Sequence, residues 1–320
     1  MNPMSAKELP IVDLTPMASG DQLAKARLGA ELRAACEHSG FFYVAGHGVP
    51  ESLIDQVFAA SKSFFDQSMA DKQRLSKSFS AANRGYEALG GQTLEPGAPP
   101  DLKEGFYIGE EVPADDPRVV AGAFNTGPNQ WPEGVSGFRE VMSEYYDRLL
   151  LLSRRIMAAL ALSLGLPEDY FNDFCTQPLA TLRLLHYPPQ PPKPKPGEKG
   201  CGAHTDFGGI TILLLDDKPG LQVWSAATEC WIDANPIPGT FVVNLGDMIA
   251  RWTNDRYRST LHRVINTSGA ERYSVPFFYS GALQHEVRCL PGCLEQGESA
   301  RYAPTTVEGH LREMYRRTYV

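Results

Sequence analysis

Cys201-Gly202-Ala203-His204-Thr205-Asp206-Phe207 decides the reading of this chain, because it sets an imidazole and a carboxylate two residues apart. In an extended strand, residues i and i+2 project to the same face, so both groups would enter one cavity. A second imidazole follows after 55 intervening residues, His262 in Ser259-Thr260-Leu261-His262-Arg263-Val264. Carried on a distant strand, it would complete three ligands on one side of a metal ion. The opposite positions would stay open for small co-ligands. In isolation the same three residues read better as hydrogen-bonded polar groups of a core.

Ten residues beyond His262, the segment Glu271-Arg272-Tyr273-Ser274-Val275-Pro276-Phe277-Phe278 repeats the device. Arg272 and Ser274 are again two apart and share a face. An inward-facing guanidinium is costly unless something pairs with it. Its planar fork suits a carboxylate, held by two parallel hydrogen bonds. The chain thus offers a metal site of the two-histidine, one-carboxylate type found in non-haem Fe(II) oxygenases, and a carboxylate clamp beside it. The structural alternative for Arg272 is a salt bridge to an acid on a neighbouring strand.

With these motifs the chain resembles the isopenicillin N synthase-like family of Fe(II)- and 2-oxoglutarate-dependent dioxygenases, over nearly its whole length. The N-terminal part of the resemblance is Leu9-Pro10-Ile11-Val12-Asp13-Leu14 with Ser39-Gly40-Phe41-Phe42-Tyr43-Val44-Ala45-Gly46-His47-Gly48-Val49. The core part is His204-Thr205-Asp206, Asn244-Leu245-Gly246-Asp247, His262 and Arg272-Tyr273-Ser274. The resemblance implies Fe(II) on His204, Asp206 and His262. It implies 2-oxoglutarate as co-substrate, its distal carboxylate on Arg272, Ser274 and Tyr187. The expected reaction consumes dioxygen and 2-oxoglutarate, releases succinate and carbon dioxide, and hydroxylates or desaturates a small molecule. Plant relatives often carry Asn two residues before the tyrosine; here that position is Leu185, which removes one polar contact.

Three other functions fit parts of the same pattern. An oxidase working without 2-oxoglutarate, like isopenicillin N synthase, is disfavoured by the lack of a glutamine near the C-terminus. Asn83 and Glu87, around Gly85-Tyr86, also depart from that enzyme's pattern. An ethylene-forming enzyme that fragments 2-oxoglutarate shares the segments around Leu182-Arg183 and Gly202-Asp206. A non-catalytic metal-binding protein would not need the complete set of triad and clamp.

Bulk properties agree with an enzyme of small molecules. A net charge of −8 argues against a nucleic-acid partner, which calls for a basic face. The six cysteines show no zinc or disulfide spacing and read as free thiols of a reducing cytoplasm. The N-terminus shows no signal segment. The longest apolar stretch, Leu149 to Leu166, is interrupted by Arg154 and Arg155, so no membrane association is expected. The expected location is cytoplasmic, and no oligomeric state is assigned.

The expected fold is α+β with a mostly β core: a double-stranded β-helix, or jelly roll, flanked by N-terminal and central helices. Four segments are expected. Residues 9–130 form an N-terminal helical region and 131–177 a long supporting helix. Residues 178–282 form the oxygenase core, and 283–320 a C-terminal segment with a helix. Within these, helices are expected over Asp21–His38, after Pro50, over Gly134–Leu164, briefly from Pro167, and over Thr306–Tyr315. Residues 80–130 read as loop around one strand near Phe106-Tyr107-Ile108. The proline-rich run 188–196 reads as a stiff loop rather than a recognition motif. Arg84, Tyr86 and Lys103 are candidate substrate contacts. Phe207 and Phe278 are candidates either for the pocket wall or for the core.

Overall fold

The computed structural model describes residues 8–190, 194, 196–266, 268–294 and 297–318. Four residues of the proline-rich run, 191–193 and 195, therefore lie outside the described residues. The chain opens with β1 (Ile11–Asp13), α1 (Gln22–His38), β2 (Phe41–Ala45), α2 (Glu51–Phe65) and α3 (Met69–Arg74). Then come β3 (Gly85–Glu87), β4 (Glu104–Gly109), α4 (Pro117–Val120) and α5 (Phe138–Ser163). The strands β5 (Leu179–Tyr187), β6 (Cys201–His204), β7 (Ile210–Leu215), β8 (Leu221–Ser225), β9 (Cys230–Asp233) and β10 (Phe241–Leu245) follow. The chain closes with α6 (Asp247–Trp252), β11 (His262–Val264), β12 (Arg272–Gly281), the pair β13 (Glu286–Val287) and β14 (Thr305–Thr306), and α7 (Val307–Thr318).

Two sheets make the expected jelly roll. The larger runs β1-β2-β10-β7-β12-β5-β4-β3 and the smaller β6-β11-β8-β9. Alternation along the strands divides their side chains. In β5, Leu182 and Leu184 join the core under the helices, whereas Leu185 and Tyr187 join a second cluster with Val223 and Val264 of the smaller sheet. In β10, Phe241, Val243 and Leu245 face the helices and Val242 faces the smaller sheet. The helix-side core runs unbroken from Val12 to Leu311 and includes Leu28, Phe64, Leu149, Ile156, Ile212 and Phe277. The helices thus hold one wall of the roll rigid, and its interior is left for chemistry.

Local chemistry explains the helix ends. Asp21 caps α1 by accepting from the amides of Leu23 and Ala24. Gly40, at φ +65°, ends it; a side chain there would meet the carbonyl oxygen of Arg258. The long helix begins at Phe138, later than expected, because Gly137 at φ 72° turns the chain immediately before it. Two expectations need correction. No helix follows Pro167; the segment forms tight turns that tuck Phe171 and Phe174 against Trp252. The stretch 80–130 holds two paired strands, β3 and β4, rather than one. Among the described residues, no helix is long and apolar enough to cross a membrane.

Candidate metal centre

β6 and β11 pair so that His262 lies directly opposite His204, and Asp206 follows two residues beyond. The imidazole Nε2 atoms of His204 and His262 each lie 3.8 Å from Asp206 Oδ1. The two rings stand 4.3 Å apart at 49°. One donor atom from each of the three residues falls within 4.8 Å of the others, the only such group found among the described residues.

The surrounding hydrogen bonds aim these donors. His204 Nδ1 lies 2.8 Å from the Gly202 carbonyl and His262 Nδ1 lies 3.1 Å from the Thr260 carbonyl. A carbonyl only accepts, so each Nδ1 carries the proton and each Nε2 presents a lone pair. Asp206 Oδ2 accepts from Thr211 Oγ1 at 2.6 Å and from Asn244 Nδ2 at 2.7 Å, which leaves Oδ1 for the cavity. Burial lowers the pKa of His204, and burial together with the neighbouring ring pushes His262 down to about 4. Burial opposes ionisation of Asp206, but the two imidazoles and its hydrogen bonds outweigh it and hold the carboxyl below its usual range. Two neutral imidazoles and one carboxylate are the protonation states a divalent cation needs, with the outer hydrogen bonds that normally accompany it.

A loop from the N-terminal region holds the metal strand in place. β6 carries an extra residue relative to β11 between His204 and Cys201. The freed amides find carboxylates: Gly202 N donates to Asp101 Oδ1 at 2.8 Å and Ala203 N to Glu95 Oε2 at 2.9 Å. Gly202 is required by the closeness of that loop, since a Cβ there would sit 2.7 Å from Glu95 Cβ. Asp101 also pairs with Lys103, and Glu95 with Lys199. Cys201 is buried, its pKa raised to about 11 by burial, and its Sγ lies beside His204 Nδ1, at 3.9 Å, the ring nitrogen turned away from Asp206.

Deeper in the roll, Arg272 of β12 faces Tyr187 of β5, and Ser274 faces Leu185. The Arg272 guanidinium lies 4.9 Å from the Tyr187 ring centre and is 1 % exposed. Among the described residues it has no ion pair, and its Nε and Nη1 have no hydrogen-bond partner. The structural alternative, a salt bridge to a neighbouring acid, is therefore not what the fold provides. Buried orphan donors in a cationic fork, set against Tyr187 of the apolar cluster that also holds Leu185 and Val264, fit a carboxylate ligand.

A cavity of about 370 Å³ opens beside the triad, with His204 and Asp206 in its floor. Phe207 and Phe278 both line it. Arg84, Tyr86 and Lys103 do not. Arg84 is buried on the far side of β3, its guanidinium donating to the carbonyls of Ala82 and Asn125. Tyr86 points into the helix-side core and bonds Glu104 at 2.5 Å. Lys103 is spent on Asp101, 3.5 Å from Cys201. In their place the cavity wall carries Lys77, Asn83, Gln92, Tyr107, Arg183 and Tyr315. Arg183 was within reach of sequence reasoning, since it shares the β5 face of Leu185 and Tyr187. His186 points away from that face, as the alternation required, and pairs with Glu104. A larger depression of about 840 Å³ lies between the smaller sheet and α7, but no member of the triad lines it.

Comparison with known proteins agrees with this geometry. Residues 178–281 match the 2OG-Fe(II) oxygenase superfamily, and residues 9–134 match the N-terminal region described for a non-haem dioxygenase in morphine synthesis. The 2-oxoglutarate-Fe(II) type oxidoreductase hxnY of Emericella nidulans is 46% identical over 97% of this chain and 90% of its own length. The 2-oxoglutarate-dependent dioxygenase citB of Monascus ruber is 40% identical over 99% and 98%. In structure, a Neurospora crassa protein solved in complex with alpha-KG and thymine superposes with a TM-score of 0.86 at 29% identity, covering 98% of each chain.

Proposed function

The chain belongs to the 2OG-Fe(II) oxygenase superfamily, and from that premise we propose which residues carry the oxidation of a small molecule by Fe(II), 2-oxoglutarate and dioxygen. His204, Asp206 and His262 hold Fe(II). Arg272 and Ser274 hold the distal carboxylate of 2-oxoglutarate, and Tyr187 packs against the guanidinium and orients it. The cavity walled by Phe207 and Phe278 takes the substrate.

When bound, Fe(II) supplies the electron transfer that lets dioxygen cleave 2-oxoglutarate to succinate and carbon dioxide and oxidise a C–H bond. In balance, one atom of oxygen enters succinate and the second enters the substrate as hydroxyl, or leaves as water if the substrate is desaturated. The chain's own residues do the rest. The Nδ1–H groups of His204 and His262 stay on the Gly202 and Thr260 carbonyls, so each ring keeps one tautomer. Thr211 and Asn244 keep Asp206 presenting one oxygen. The apolar lining around Leu185 and Val264 excludes water from the co-substrate.

The observation that carries this reading is the buried Arg272 with orphan donors beside a preformed triad. The test is anaerobic reconstitution with Fe(II) and 2-oxoglutarate, followed by admission of oxygen. A metal-to-ligand charge-transfer band before oxygen, and succinate after it, are expected. Ethylene as the main product would replace the hydroxylation reading and leave the ligand assignments standing. Full Fe(II) occupancy in a His204→Ala/His262→Ala double variant would remove them.

A further inference from the structure

The turn that carries Asp206 out of β6 is pinned to its neighbours carbonyl by carbonyl. The Asp206 carbonyl accepts from the amide of Asp247 at 2.7 Å, and the Gly208 carbonyl from that of Met248 at 3.3 Å, both at the start of α6. The Gly209 amide donates to the Tyr279 carbonyl of β12 at 3.1 Å. The peptide between Phe207 and Gly208 is held by a side chain instead. Its carbonyl accepts from His310 Nε2 of α7 at 2.8 Å. Among the described residues, neither that carbonyl nor the Gly208 amide has a second hydrogen-bond partner. Residue 208 must be glycine, since a Cβ there would sit 2.7 Å from Ser280 Oγ. Glycine leaves the peptide plane free to turn unless something holds it.

His310 is 3 % exposed. Burial lowers its pKa, so the ring is neutral. A carbonyl only accepts, so the single proton sits on Nε2. Nδ1 is buried and has no hydrogen-bond partner among the described residues. An unpaired buried acceptor weakens the docking of a helix, and an apolar side chain in its place would avoid that cost. Val307 and Leu311 of α7 already pack into the helix-side core. What the imidazole adds is one directed bond, and it ends on the residue next to the candidate metal ligand. The Phe207 ring lines the cavity, whereas His310 lines the depression between α7 and the smaller sheet. The bond therefore draws the Phe207 carbonyl away from the substrate space. Tyr315 of α7 meets the Phe207 ring edge-on, the centres 6.1 Å apart, so α7 touches this residue at both its carbonyl and its ring.

We propose that His310 is a positioning residue for the oxidation: its bond to the Phe207 carbonyl fixes the Phe207–Gly208 peptide, and with it the ring that holds the substrate beside the metal. This rests on the Fe(II) and substrate-cavity assignment above. A misplacement of about 1 Å between reacting groups can cost about a hundredfold in rate. A wall one residue from the metal ligand passes its own displacement directly to the substrate.

The experiment places para-fluorophenylalanine at position 207 and records its fluorine resonance in the apo-protein and in the anaerobic Fe(II)·2-oxoglutarate form. Fe(II) is paramagnetic and displaces the resonance by an amount set by the ring's distance and direction from it. Wild type is compared with His310→Gln, His310→Leu and Val307→Ala. Glutamine keeps an N–H donor near the place of Nε2, and leucine removes it. Val307→Ala loosens the docking of α7 and leaves the imidazole in place. Wild type, His310→Gln and Val307→Ala should give one resonance with a common displacement. His310→Leu should give a broadened, split or differently displaced one. Amide exchange over residues 205–209 should rise about two- to tenfold in His310→Leu, the range of one neutral hydrogen bond, and stay near wild type in the other two. An unchanged resonance in His310→Leu, or failure of glutamine to restore it, would overturn the proposal. Equal disturbance in Val307→Ala would do the same, by reducing His310 to an ordinary helix anchor. No Fe(II)-induced displacement in the wild type would instead overturn the metal assignment, while the apo-protein spectra would still judge His310.

Discussion

Replacing Arg272 by lysine keeps the charge and removes the fork. In the structure the guanidinium lies over Tyr187 and offers Nε and Nη1 with no partner among the described residues. A lysine ammonium can supply one of those two bonds to a carboxylate, on a more flexible stem. The loss is one charge-assisted hydrogen bond, about 1.5–3 kcal/mol, plus part of a cation–π contact of roughly 0.5–2 kcal/mol. Taking about 2.7 kcal/mol as the central figure, the 2-oxoglutarate Kd rises about a hundredfold.

That change is readable as a melting shift. At a concentration a hundred times the wild-type Kd, 2-oxoglutarate stabilises the anaerobic Fe(II) protein by about 2.7 kcal/mol. The unfolding entropy of 320 residues is about 0.67 kcal/mol/K, so Tm rises by about 4 °C in the wild type. At the same concentration the Arg272→Lys variant gains only about 0.4 kcal/mol, or about 0.6 °C. A companion variant separates the clamp from a structural bridge. Arg272→Met removes a buried charge that has no ion pair among the described residues, so the apo-protein should be equally stable or more stable, by up to about 4 kcal/mol. Loss of a true buried ion pair partner would destabilise by about 3–5 kcal/mol. An undiminished 2-oxoglutarate shift in Arg272→Lys, or a strongly destabilised Arg272→Met apo-protein, would refute the reasoning.

Two further predictions concern the groups behind the triad. Asn244→Ala removes one of the two hydrogen bonds to Asp206 Oδ2, so Fe(II) affinity should fall about ten- to a hundredfold, measured by competition with a chromogenic chelator; unchanged affinity would show that Thr211 alone suffices. Asp101→Ala strands Lys103, which is 3 % exposed, and should cost about 3–5 kcal/mol in urea unfolding; the Asp101→Ala/Lys103→Met double variant should recover most of that, and its failure to do so would place the cost in the lost Gly202 amide bond instead.

Much of the centre was legible because its residues lie on strands with a two-residue period. His204 with Asp206, and Arg272 with Ser274, announce a shared face from spacing alone, and Tyr187 falls on the facing strand. The same period reaches Arg183, two steps back from Tyr187, which chain order alone already places on the inward face. The misplaced residues come from stretches without such a period. Arg84 and Tyr86 belong to a three-residue edge strand and its approach inside a long loop, too short for its faces to be told apart. Their partners, Asn125 and Glu104, are distant in sequence. Lys103 is decided by Asp101 and by a bulge in β6, neither of which leaves a periodic trace. The turns after Pro167 have a similar origin. Proline suits a helix start, but Phe174 is drawn beneath Gly281, where any side chain would collide with its ring. Burial of one aromatic ring overrides a local preference.

The inward face of β5 also explains why Leu185 is no loss. Along that face stand Thr181, Arg183, Leu185 and Tyr187, about 6.7 Å apart at each step of two residues. Arg183 lines the cavity beside the triad, and the Tyr187 ring lies against the Arg272 guanidinium. On the proposed assignment, the Tyr187 end of the strand meets the distal carboxylate of 2-oxoglutarate. A polar residue at position 185 would offer that carboxylate a second stopping place and would admit water. A buried leucine, packed with Tyr187 and Val264, offers neither. What reads in the sequence as a missing polar contact is in the fold an apolar step between Tyr187, beside the Arg272 guanidinium, and Arg183 on the cavity wall.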